Sequence, residues 1–97
     1  MQSGQQGGGE GKVTISGFAY DPAVLTVKAG TEVSWSNSDD ILHTVTAGTN
    51  EAPEAENFDG QLDGKGTTFK KVFEEAGTFQ YFCTKHKLAM KGEVKVT

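Results

Sequence analysis

Apolar and polar residues alternate along this chain in short runs. Val13 and Ile15 flank Thr14, and Val33 and Trp35 alternate with Ser34 and Ser36. Val24-Leu25-Thr26-Val27 runs toward an Ala29-Gly30 turn signal, and Thr44-Val45-Thr46 follows His43. Further runs span 69–73, 79–83 and 94–96. A period of two sends successive side chains to opposite faces of a strand, so each run reads as half-buried β structure. No stretch sustains a helical period. Seven or eight short strands separated by turn residues predict an all-β Greek-key sandwich or barrel, with Trp35, Phe18 and Tyr20 as packing residues. Residues 47–63 are polar and acidic, and read as an excursion with a short helical turn around 51–56.

The alternation begins at Lys12. Residues 1–11 hold Gln, Gly, Ser and one Glu after Met1, which can bury almost no apolar surface, so they are expected to form a flexible tail. Residues 12–97 then make one domain. Gly11-Lys12 and Gly64-Lys65 do not match a phosphate-binding loop, because Val13 and Gly66 stand where Ser or Thr is required. The formal net charge is −4, with nine lysines and no arginine, which disfavours nucleic acid as partner. No apolar run approaches the roughly 20 residues of a membrane-spanning helix.

Composition changes the picture most through its soft donors. The chain has one cysteine, two histidines and two methionines, one of them Met1. Cys83-Thr84-Lys85-His86-Lys87-Leu88-Ala89-Met90 places a thiol, an imidazole and a thioether in one loop, and His43 supplies a second imidazole from far upstream. Phe79, Tyr81 and Cys83 share a strand face, so an inward Tyr81 carries the Cys83 thiol inward too. Two imidazoles and a thiolate with a weak thioether describe a copper electron-transfer centre. Structural zinc prefers four strong ligands, so the thioether favours copper. A cysteine nucleophile would need an orienting third group and a cleft, and neither is legible. No catalytic residue is expected, and the chain does not read as an enzyme.

These residues resemble the ligand loops of the cupredoxins, the small blue-copper family, over residues 12–97. Asn37-Ser38-Asp39-Asp40-Ile41-Leu42-His43-Thr44-Val45 is similar to the family's upstream ligand segment. The Cys-x2-His spacing is similar to the plastocyanin and pseudoazurin branches, and His-x3-Met followed by Lys91-Gly92 to the azurin and auracyanin branches. The resemblance implies one copper ion, cycling between Cu(I) and Cu(II), held by His43, Cys83, His86 and Met90. It implies a monomer that carries single electrons between larger redox proteins outside the cytoplasm, in a periplasm or on the outer face of the cytoplasmic membrane. The alternative is a copper carrier or sensor, although the chain has no spare Met or Cys cluster for metal exchange. His86 would then be the electron port, with Lys85, Lys87 and Lys91 at the rim of the docking surface and residues 1–11 as a membrane tether. Backbone N–H groups of Thr44 and Lys85 are candidate donors to the Cys83 sulfur. Tyr81, two residues before the cysteine, is placed like a tyrosine corner, whose hydroxyl ties down a loop.

Overall fold

A computed structural model of the chain describes residues 10–85 and 90–97. Among these, nine strands run in order: β1 (Glu10–Ile15), β2 (Tyr20–Asp21), β3 (Val24–Val27), β4 (Thr31–Asn37), β5 (Leu42–Ala47), β6 (Asp59–Asp63), β7 (Thr68–Phe73), β8 (Gly77–Phe82) and β9 (Lys91–Val96). They form two sheets, β2-β1-β4-β7 and β3-β9-β8-β5-β6. The β1–β4 and β3–β9 pairs are parallel and the others antiparallel.

The sandwich follows from the alternation. In β4 every second residue, Thr31, Val33, Trp35 and Asn37, is buried. Val13 and Ile15 on β1 join them from the neighbouring strand, and Val94 and Val96 on β9 close the core from the opposite sheet. Trp35 lies at the centre, with the rings of Phe69 and Tyr81 at 5.5 and 5.4 Å. The Ala29-Gly30 signal is a turn: Gly30 has φ +92° and its N–H donates to the Phe73 carbonyl at 2.7 Å.

Two strands exceed the sequence-based expectation. The two-residue β2 follows a turn at Gly17 and Phe18, both with positive φ. β6 occupies part of the acidic excursion, whose inward positions are only Gly60 and Leu62. At Gly60 a Cβ would fall 2.3 Å from a Phe69 ring atom, so the bare backbone there is the seat of an aromatic ring from the other sheet. Glycine in this strand serves close approach. The helical turn expected around 51–56 does not form. Gly48 instead bridges to Pro53, and the Glu54 N–H donates back to Ala47 at 2.8 Å, which draws the segment against β5.

Candidate metal centre

Asn37 ends β4 and shapes the loop into β5. Its buried side-chain amide donates to the carbonyls of Ile41 and Leu62, both at 2.9 Å, and its Oδ1 accepts from the Asp39 N–H at 2.8 Å. One fully engaged amide therefore fixes residues 38–42 and delivers His43 onto β5, where it pairs with Leu62 of β6. Buried polar side chains of this kind are costly unless satisfied, and Asn37 is satisfied at both ends.

Cys83 follows β8 directly and Met90 precedes β9. The Cys83 N–H donates to the Met90 carbonyl at 3.1 Å, tying the two residues together. His43, Cys83 and Met90 are each 0% exposed. His43 Nδ1 and Cys83 Sγ face each other at 3.9 Å. His86, with Lys87, Leu88 and Ala89, lies outside the described residues.

The donors fit a copper ion. First-row ions such as zinc sit about 2.0–2.1 Å from imidazole nitrogen and about 2.3 Å from thiolate sulfur. A separation of 3.9 Å lies inside the sum of those radii, so one ion can bind both atoms without moving either. The sulfur already has company: the Thr44 N–H points at it from 3.4 Å, as expected for a bond that stabilises a thiolate. The Thr44 hydroxyl accepts from the Thr84 N–H at 2.9 Å, so β5 and the cysteine turn are joined twice.

Three features around the site were not legible beforehand. His43 Nε2, the nitrogen turned away from the sulfur, lies 2.8 Å from Asp39 Oδ2. Asp39 also accepts from the N–H groups of Phe18 and Gly17 at 3.0 and 2.9 Å. Those two bonds, then the His43 contact, hold its carboxyl below the usual carboxylate range. Phe18 is 47% exposed rather than packed in the core, and its ring meets His43 edge-on at 5.5 Å. The loop-tying hydroxyl belongs to Tyr20, which donates to the Thr44 carbonyl. The Tyr81 hydroxyl and the Trp35 indole N–H have no hydrogen-bond partner among the described residues. Burial raises the Tyr81 phenol to about 12, offset in part by the Trp35 side chain beside it.

A family model described as copper binding proteins, plastocyanin/azurin family, matches residues 9–97. Plastocyanin of Scenedesmus fuscus is 34% identical over 85 residues, covering 81% of this chain and 87% of its own length. Amicyanin of Paracoccus versutus is 34% identical over 84 residues, covering 87% of this chain and 62% of its own. Among solved structures, a purple cupredoxin from Nitrosopumilus maritimus superposes with a TM-score of 0.79 at 27% identity, over 90% of this chain and 99% of the other. With the buried nitrogen–sulfur pair in place, the chain belongs to the plastocyanin/azurin family of copper-binding cupredoxins, type 1 copper electron carriers rather than enzymes.

Proposed function

We propose that His43, Cys83, His86 and Met90 hold the single copper ion through which this chain carries electrons. The observation that carries the reading is the buried pair of His43 Nδ1 and Cys83 Sγ, 3.9 Å apart, with the Thr44 N–H on the sulfur. Copper supplies a one-electron couple; the protein supplies His43, Cys83 and Met90 in fully buried positions. Cys83 and His43 are anchored by separate strands, and Met90 is bonded to Cys83 through the backbone. Such a set needs little rearrangement when the charge of a bound ion changes, which keeps the barrier to transfer low.

The test is a titration of the apoprotein with Cu(II). One copper per chain and an intense visible thiolate-to-copper absorption are expected, and His86→Ala should open the site to added imidazole. Copper bound without that absorption would refute the ligand set.

Docking centres on the surface around His86, with Lys85, Lys87 and Lys91 at its rim. Lys85 and Lys91 are exposed, which supports this reading. Glu51 lines the same surface groove as Lys91, so the basic rim has an acidic neighbour on that side. A rim of this kind steers encounters with an acidic redox partner more than it tightens the complex. The bimolecular rate should therefore fall as salt shortens the Debye length from about 30 Å at 0.01 M to about 10 Å at 0.1 M. Replacing all three lysines with Gln should flatten that dependence; a triple variant reacting at the wild-type rate in low salt would leave docking to apolar contact. By the same reading the protein works as a monomer outside the cytoplasm, and the membrane tether expected over residues 1–11 falls to those before β1, because Glu10 and Gly11 pair with Glu32 and Val33 of β4.

A further inference from the structure

Asp39 makes more contacts than a loop carboxylate needs for solubility. It is 16% exposed and touches three groups from two directions. From one side come the N–H groups of Gly17 and Phe18, at 2.9 and 3.0 Å. From the other comes His43 Nε2 at 2.8 Å. The first pair is unusual in itself. Gly17 and Phe18 have φ of +61° and +62°, and a bulky residue pays a steric penalty there that glycine does not. Such a conformation persists only where its surroundings over-determine it. Here two charge-assisted bonds to one carboxylate do so, and the turn they stabilise brings the Phe18 ring edge-on to His43.

We propose that Asp39 is the positioning residue of the metal centre: its carboxylate holds the His43 proton on Nε2, leaves the Nδ1 lone pair facing the Cys83 sulfur, and biases the copper couple toward Cu(II). The inference rests on reading His43 as a ligand. A metal-binding imidazole that donates its other N–H to a carboxylate is held in one tautomer and orientation and becomes a stronger donor. A negative charge separated from the metal by one aromatic ring also favours the more highly charged ion. The same carboxylate keeps the Gly17-Phe18 turn over the ring, so one residue fixes the proton, the orientation and the cover of this ligand. The adjacent Asp40 is exposed and provides a matched control for charge alone.

A purely structural role would stabilise the turn without touching the couple, so two measurements on the full chain separate the roles. The first is the reduction potential of the copper-loaded protein. Asp39→Asn keeps the shape and an oxygen acceptor but removes the charge, and should raise the potential clearly more than Asp40→Asn does. Equal shifts in the two variants, or no shift in Asp39→Asn, overturn the proposal. The second needs no copper: solvent exchange of the His43 Nε2–H in the apoprotein, followed by imidazole ¹⁵N–¹H NMR at about pH 9, above the ordinary histidine pKa of about 6.5. Asp39→Ala should speed that exchange at least about tenfold, as expected for the loss of a hydrogen bond to a charged acceptor. Exchange at the wild-type rate overturns the proposal. A wild-type chain that takes up no copper would instead sink the ligand reading, while the exchange measurement still decides whether Asp39 holds the His43 proton.

Discussion

Trp35→Ala is expected to remove about 3–5 kcal/mol of folding stability, the usual cost of deleting a fully buried large aromatic side chain. Trp35 is 0% exposed and stands where both sheets meet it. Phe69 and Phe73 reach it from β7, Phe58 from the segment before β6, and Tyr81 from β8. A small domain has about 5–15 kcal/mol in total, so this one truncation should consume a large part of it. The loss exceeds simple transfer because the void cannot collapse: the facing rings are held by β7, β8 and the segment before β6, and Phe69 already rests on the bare backbone of Gly60. Urea unfolding checks it, and a midpoint lower by on the order of 2 M is expected for an m-value of about 1–3 kcal/mol/M. Val72→Ala is the contrast, since Val72 lies on the same sheet but is 41% exposed; it should stay within about 0.5 kcal/mol of wild type. A Trp35→Ala protein less than about 1 kcal/mol below wild type would mean that the sheets close over the gap, contrary to the packing described above.

That core was legible in the sequence because β4 and β9 carry their burial in the alternation itself, and β8 does so until Phe82, which is buried beside Tyr81. Trp35, Tyr81 and Val94 stand at inward positions of a period-2 pattern. β6 escaped notice for a physical reason: one of its two inward positions is occupied by a ring from β7, so the sequence shows Gly60 where a strand would ordinarily show a hydrophobe. β2 escaped because its two residues are set by a turn, and that turn is stabilised by Asp39 from 22 residues away. At the site, His43, Cys83 and Met90 announced themselves by donor chemistry, and the structure brings Cys83 to His43 and binds Met90 to Cys83 through the backbone. Asp39 did not, since a carboxylate in Ser38-Asp39-Asp40 reads as a solvated loop charge. Its spacing four residues before His43 was the available signal, but only the fold shows that both face one another. The two tyrosines exchanged expected roles for a related reason. Position relative to the cysteine pointed to Tyr81, whereas the hydroxyl that reaches a backbone carbonyl beside the site is that of Tyr20.

Cys83→Ser should abolish the visible absorption of the copper-loaded protein and weaken Cu(I) binding severely, while Met90→Leu should preserve the colour and raise the reduction potential. The difference lies in what each sulfur contributes. The Cys83 thiolate is a charged, polarisable donor, and the absorption arises from moving an electron from that sulfur to Cu(II). A serine hydroxyl stays protonated at neutral pH and is a hard donor, poorly matched to Cu(I). The fold should survive, because serine is close to cysteine in size and its oxygen can accept the Thr44 N–H that now meets sulfur at 3.4 Å. Met90 is neutral, and on the proposed ligand set its thioether would be a weak donor of the kind whose identity tunes potential in such centres. Leucine replaces its volume in the buried position at a cost usually below about 1.5 kcal/mol. Removing a weak donor withdraws support from the more electron-poor Cu(II) form, so the potential should rise while the sulfur-to-copper transition of Cys83 remains. Absorption and voltammetry on the two variants decide the matter. A Cys83→Ser protein that kept the band would place the absorbing sulfur elsewhere. A Met90→Leu protein that lost the band would overturn the proposal that Met90 is only a weak donor.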